Sequence, residues 1–204
     1  MFSRKEEYIS AIINKRQEVF RMTYIIGDLH FFDKNIIAMA PRNFKSVEEM
    51  NTHMIANWNR NATDEDIVIV NGDFIIFDYC TKEDGWDILN QLKGHIILIV
   101  GNHDLPYLHF YEEYNSKCKD KGLPAKVDII RFPIVYDQFW IISHEPMFVS
   151  EAAPYANIFA HVHLNPMFVD VSSRSFCSSA ERWYYTLIPL DEVKSAILQK
   201  AGTK

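Results

Sequence analysis

Cysteine is scarce and unpaired in pattern: Cys80, Cys118 and Cys177 stand far apart, with no CxxC pair to hold zinc or exchange a disulfide. Such a set fits thiols in a reducing compartment, so a cytoplasmic location is expected. Long apolar runs are also missing. Ile96 to Val100 is typical of those present, far short of the roughly 20 residues that cross a bilayer, and no membrane partner is expected. The opening Phe2-Ser3-Arg4-Lys5-Glu6-Glu7, followed by apolar residues broken at Asn14, Lys15 and Arg16, lacks the pattern of a secretory signal. A basic excess is absent too: 21 Lys and Arg stand against 27 Asp and Glu, for a formal charge of -6. That surface repels a long phosphate backbone and argues against long duplex nucleic acid as a partner. No repeat, low-complexity tract or Pro/Gly-rich linker divides the chain, and 204 residues suit one sizeable core.

What is present is a regular alternation of elements. Ser3 and Glu6 have the spacing of a capping box, and Ile9, Ile12, Ile13, Arg16, Val19 and Phe20 follow at helical intervals. Residues 1–21 therefore read as an N-terminal helical extension, and 22–204 as a single domain. Three β-rich runs come next, Thr23 to Ile26, Ile67 to Val70 and Ile96 to Val100, and each stops at a glycine beside a polar residue. Between them, Ser46 with Glu49 caps a segment carrying Met50, Met54 and Trp58, and Thr81 to Leu92 is a second helical stretch. This βαβ order predicts a parallel sheet, with ligands bound beyond the carboxyl ends of its strands. From Val127 onward shorter runs predict a mostly β layer: Val127 to Arg131, Ile134 to Tyr136, Phe139 to Ser143, Ile158 to Ala160, Phe168 to Val171 and Trp183 to Ile188.

The polar residues at the strand ends are metal-ligand types: Asp28 and His30, Asp73, Asn102 with His103 and Asp104, His144, then His161 and His163. An Asp-x-His or His-x-His pair on extended backbone puts alternate side chains on one face, where both can reach one ion or two adjacent ions. Imidazole, carboxylate and amide donors together suit manganese, iron, zinc or nickel, whereas magnesium or calcium would take oxygen almost alone.

The ordered set Gly27-Asp28-Leu29-His30, Gly72-Asp73, Gly101-Asn102-His103-Asp104, Ser143-His144 and His161-Val162-His163 resembles the calcineurin-like metallophosphoesterases. Five blocks in order, each after an expected strand, are far more specific than any one of them. The resemblance implies an α/β fold, a four-layer αββα sandwich, and two divalent metal ions. Asp28, His30 and His163 would hold one ion, Asn102, His144 and His161 the other, with Asp73 bridging. It implies a nucleophilic water or hydroxide shared by the ions, and His103 directed at the scissile phosphate as a donor to the transition state or the leaving oxygen. Asp104 would then orient the His103 ring.

Two positions depart from the family pattern: Ala160 stands where a glycine usually precedes the last His-x-His pair, and Asp33 where relatives often carry histidine. Phe31, Phe74 and Tyr107 either stack on a base or wall the site, and Arg42, Asn57, Arg182 and Trp183 are substrate-contact candidates by analogy alone. The expected substrate is a small phosphoester, a phosphodiester such as a cyclic nucleotide or short oligonucleotide. A phosphomonoesterase of the protein-phosphatase kind and a silent scaffold are the alternatives. The first would carry arginines beside the second and third blocks, which here read Asp73-Phe74-Ile75-Ile76 and Asn102-His103-Asp104; the second has no need of a filled site.

Overall fold

A computed structural model describes residues 22–150 and 152–202, so the expected N-terminal helix lies outside the described residues. The order is β1 (Thr23–Ile26), a single-turn α1 (Ile36–Met39), α2 (Val47–Asn61), β2 (Ile67–Val70), α3 (Lys82–Gln91), β3 (His95–Ile99), α4 (Leu108–Asp120) and β4 (Val127–Ile130). After these come β5 (Ile134–Tyr136), β6 (Trp140–Ile142), β7 (Ala156–Phe159), β8 (Ser175–Cys177), β9 (Ile188–Pro189) and α5 (Leu190–Gly202).

Two sheets flanked by helices form the sandwich. The first has five strands in the order β4-β3-β2-β1-β9, parallel except for β9, and the second has four in the order β5-β6-β7-β8. β1, β2 and β3 are buried at every position except Thr23, which is why they read as unbroken apolar runs rather than alternating ones. Their two faces serve different cores. Ile26, Val68, Val70 and Leu98 pack against Met50, Met54 and Trp58 of α2, Leu89 of α3 and Tyr111 of α4. Ile25, Ile69, Ile97 and Ile99 meet Ile142, Ile158 and Phe176 of the second sheet, together with Leu190, Val193 and Ile197 of α5.

The helix starts follow from their caps. The Ser46 hydroxyl accepts from Glu49 N–H at α2, and Thr81 with Asp84 forms a reciprocal capping box at α3.

Three expectations are corrected. Val127–Ile130 belongs to the first sheet, paired parallel with β3, and not to the second-half layer. Phe168 to Val171 forms no strand beyond a single bridge from Val171 to Phe176. Trp183 to Ile188 contains the end of a 3₁₀ turn and two left-handed residues, Tyr184 and Tyr185, before the short β9. The helices α4 and α5 are additional to the elements expected from the sequence.

Candidate metal centre

All seven expected ligands lie just past the carboxyl ends of strands, Asp28 and His30 after β1, Asp73 after β2, Asn102 after β3, His144 after β6, and His161 and His163 after β7. Five of them, Asp28, His30, Asp73, His161 and His163, have left-handed backbone with φ between 46° and 69°. Non-glycine residues rarely adopt that conformation, at a cost on the order of 1 kcal/mol or more each, and strain of this kind gathers where loops are held for function. Gly72, at φ 83°, must lack a side chain, because a Cβ there would collide with the His144 ring.

Two clusters result. Asp28, His30 and His163 each bring one donor atom within 4.8 Å of the others, and so do Asp73, His144 and His161. Asn102 joins the second group with its Oδ1 3.1 Å from His144 Nε2. Asp73 stands between the two, its Oδ2 3.6 Å from His30 Nε2 and 3.3 Å from His144 Nε2. That is the position expected of a bridging carboxylate.

The histidines are oriented from behind. His30 Nδ1 lies 3.0 Å from Asp33 Oδ2, His144 Nδ1 2.9 Å from the Asn71 carbonyl, and His163 Nδ1 2.9 Å from Glu181 Oε1. With Nδ1 engaged, each ring presents Nε2, which is how outer carboxylates and carbonyls fix metal-binding tautomers. Asp33 thus has a role although relatives often carry histidine there. Glu181 went unnoticed in the sequence, and its pairing over a long separation left no local signal. Its Oε1 also accepts 2.8 Å and 2.6 Å hydrogen bonds from Arg42, whose guanidinium donates to the carbonyls of Leu29 at 2.7 Å and Asp28 at 2.5 Å.

Asp104 does not orient His103. Its fully buried carboxylate accepts from the backbone N–H groups of Asp73 at 2.8 Å, Phe74 at 3.0 Å and Gly101 at 2.9 Å, stapling the loop after β2 to the loop after β3. It is a positioning residue. His103 takes its place through its own backbone N–H, which donates to Asp73 Oδ1 at 2.9 Å, and its exposed ring lies 5.3 Å from the His30 ring. Ala160 is tolerated because its backbone is not left-handed; the close approach is absorbed by Gly27, where a Cβ would lie 2.5 Å from Ala160 Cβ.

The pattern of the calcineurin-like phosphoesterases matches residues 22–178. The chain belongs to that family. A protein of Methanocaldococcus jannaschii, the uncharacterized MJ1445, is 44% identical over 84 residues, 41% of this chain and 47% of that protein, so the chain matches about half of that curated relative. The crystal structure of AQ665, a protein of unknown function from Aquifex aeolicus, superposes with a TM-score of 0.59 at 24% identity, covering 85% of this chain and 98% of that one, a likeness of fold.

Members of this family hydrolyse phosphoesters with divalent metals, and the residues present fit such ions. Asp28 Oδ2 and His30 Nε2 are buried without a hydrogen-bond partner, and His161 Nδ1 and Asn102 Oδ1 converge on His144 Nε2 at 3.2 Å and 3.1 Å. Without ions, the carboxylates hold protons on the rings instead. Burial disfavours the charged forms of His30 and His144, but the Asp33 hydrogen bond and the nearby Asp73 carboxylate for the former, and the Asp73 carboxylate beside its ring for the latter, raise both to about 9. Burial opposes ionisation of Asp73 as well, yet the same two rings hold it well below the usual carboxylate range. Glu181 is likewise held down, to about 2, where the His163 hydrogen bond and the Arg42 charge overcome burial.

The remaining candidates are structural. Phe31 and Phe74 are fully buried core residues with ring centroids 5.9 Å apart, so neither can stack on a ligand. Tyr107 donates to Asp78 at 2.6 Å, Asn57 to the Tyr184 carbonyl at 3.1 Å, and Trp183 to the Cys177 carbonyl at 2.7 Å. Arg182 holds the loop after His163 by donating to the carbonyls of His163, Asn165 and Phe168. His95 is locally bonded, to Ala125 and Asp128.

Two clefts border the centre. One, of about 490 Å³, is lined by His30, His163 and His103; the other, of about 430 Å³, by Asn102 and His144. Among the described residues no helix is long and apolar enough to cross a membrane.

Proposed function

We propose that this chain hydrolyses phosphodiesters by in-line displacement with water, with two divalent ions in the paired clusters. The observation that carries this reading is that, among the described residues, neither Lys nor Arg lines the cleft that holds His103. A phosphomonoester brings roughly one more negative charge than a diester near neutral pH and benefits from a cation beside the metals. Arg42 and Arg182 are engaged with backbone carbonyls and carboxylates. Lys34 lies with its Nζ 4.9 Å from the centre of the Tyr79 ring.

Ions bound there would supply Lewis acidity toward the phosphoryl oxygens and an activated water. Asp28, His30 and His163 would hold one, Asn102, His144 and His161 the other, and Asp73 both. The chain's own part in the chemistry falls to His103, whose exposed ring faces the cleft. As the new P–O bond forms and the ester P–O bond breaks, His103 donates a proton to the departing oxygen, the atom that most needs one when it leaves as an alkoxide. All seven ligand positions and His103 are filled, which favours an enzyme over a silent scaffold.

The test compares kcat/KM for bis-(p-nitrophenyl) phosphate and p-nitrophenyl phosphate on manganese-loaded protein at one pH. Preference for the diester supports the reading. Preference for the monoester would transfer it to the phosphatase alternative.

A further inference from the structure

The cleft of about 490 Å³ meets the metal centre at His30, His103 and His163, and the rest of its lining divides by chemistry. Its polar groups are already engaged. Asp33 holds the His30 ring and the N–H groups of Asn35 and Ile36, and the Asn35 amide donates to the hydroxyl of Tyr79, whose ring carries Lys34. Asp78 accepts from Tyr107, and the Asn165 side-chain oxygen accepts from the Met167 N–H. The remaining lining is aliphatic. α1 and the turn after it supply Ile36, Met39, Ala40 and Pro41, and the loop of the last ligand pair supplies Val162 and Leu164. Of these, Met39 is 76% exposed and Leu164 44%, although apolar side chains gain by leaving water. Other ligand loops carry exposed apolar groups as well, Leu105 after His103, and Met147 and Phe148 after His144.

Resting on the phosphodiesterase reading, we propose that the substrate carries an aliphatic chain on one ester oxygen, and that this cleft takes the chain against Met39 and Leu164. The occupant follows from where the cleft begins. A group lying along these side chains continues from whatever sits at His30, His103 and His163, and what the centre holds there is a phosphoester. A volume of about 490 Å³ falls within the roughly 300–1,000 Å³ of small-molecule sites, space for a chain of several carbons rather than a lone methyl. Methionine suits the contact, because its unbranched thioether adapts to apolar groups of differing shape. A chain laid there would take the exposed faces of Met39 and Leu164 out of water, which is the gain that selects it.

The test uses full-length, manganese-loaded wild type, Met39→Gln, Leu164→Asn, the double variant and Met39→Leu. Both side chains are exposed, so the polar replacements keep their size and remove no core packing. In the kinetic arm, kcat/KM is measured for methyl, butyl and hexyl p-nitrophenyl phosphate, for the ester of a polyether chain of hexyl length, and for thymidine 5′-(p-nitrophenyl phosphate). The leaving group is the same throughout. Each added methylene should raise kcat/KM about two- to fourfold, the upper figure being that of complete burial, and the polyether should fall short of the hexyl ester. The hexyl-to-methyl ratio should drop at least about threefold in each polar variant, about the worth of one buried methylene, further in the double variant, and hold in Met39→Leu. In the binding arm, calorimetry compares hexyl(methyl)phosphinate with dimethylphosphinate, which carry the single charge of a diester and no ester bond. The hexyl compound should bind more tightly, and the polar variants should reduce its advantage as they reduce the kinetic ratio. A thymidine ester better than the hexyl ester, a polyether equal to it, or a hexyl-to-methyl ratio that no polar variant lowers overturns the proposal while leaving the phosphodiesterase reading intact. If no ester of any kind is hydrolysed, that reading fails, and the binding arm alone decides whether the cleft takes an aliphatic chain.

Discussion

His163 and Arg42 meet on one oxygen: Oε1 of Glu181 lies 2.9 Å from His163 Nδ1 and 2.6 Å from the Arg42 guanidinium. The arginine in turn holds the carbonyls of Asp28 and Leu29, so a single buried carboxylate couples the orientation of the last ligand to the backbone of the first.

Replacing that carboxylate separates two effects. Glu181→Ala leaves Arg42 buried without its counter-charge, a change that costs about 3–5 kcal/mol in comparable sites and should appear in chemical denaturation. Glu181→Gln keeps the size and an acceptor but loses the charge that supports His163. Its metal affinity at the first cluster should fall about 10- to 100-fold by calorimetric titration, the usual consequence of losing an outer carboxylate. Unaltered affinity in the Gln variant would show that His163 needs no support.

Asp104→Asn tests the staple between the loops. The carboxylate accepts three backbone N–H groups and donates nothing, so an amide NH₂ must face at least one donor whichever way it turns. An unsatisfied buried donor costs about 1–3 kcal/mol, and at about 2–4 °C per kcal/mol for a chain of this size the Tm should drop by several degrees. Both clusters should weaken together, because the Asp73 and Gly101 backbones both lean on this one side chain. A Tm and metal titration matching wild type would contradict the staple.

Much of this was legible along the chain, and the reason is local. Strands buried on both faces must be apolar throughout, so Thr23 to Ile26 and Ile67 to Val70 matched the observed strands residue for residue. The caps at Ser46 and Thr81 are chemistry within four residues of sequence. The candidate ligands stood out because each follows an expected strand end, while their division between two ions came from the family resemblance. What escaped depends on distance or competition. Glu181 pairs with Arg42 across 139 positions, and no local pattern announces such a contact. Asp104 sits beside His103, which made a ring contact seem natural, but three backbone N–H groups claim its oxygens first. The apolar run near Trp183 has β-type composition, yet Tyr184 and Tyr185 turn left-handed there and end the 3₁₀ turn. The spacing of Leu190, Val193 and Ile197 in α5 was a readable helical signal that went unused.

The raised pKa values of His30 and His144 give a pH dependence of definite sign. Both rings hold a proton more tightly in the folded, metal-free protein, at about 9, than the ordinary 6.5. The stability they contribute is therefore complete below about 6.5 and is lost as pH rises through about 9. Chelated protein should lose Tm over that interval. Metal-loaded protein should not, because the ion needs neutral rings, and apparent metal affinity should climb across the same range with protons released on binding. Calorimetry in buffers of different ionisation enthalpy counts those protons. A metal affinity independent of pH between 6.5 and 9 would sink this account of the ligand rings.

His103→Ala separates holding metal from doing chemistry. The ring belongs to neither cluster, and the residue's hydrogen bond to Asp73 is made by backbone N–H, which alanine retains. The variant should bind metal as wild type does, while kcat falls on the order of a hundredfold or more, the scale of one lost transition-state donor. The loss should depend on the leaving group. An alkoxide departs poorly without a proton, whereas p-nitrophenolate is stable enough to leave unaided, so a dialkyl ester should suffer more than bis-(p-nitrophenyl) phosphate. If the two esters slow equally while metal binding is preserved, His103 acts by stabilising charge on the phosphoryl group, and the proton-donor role assigned to it is wrong.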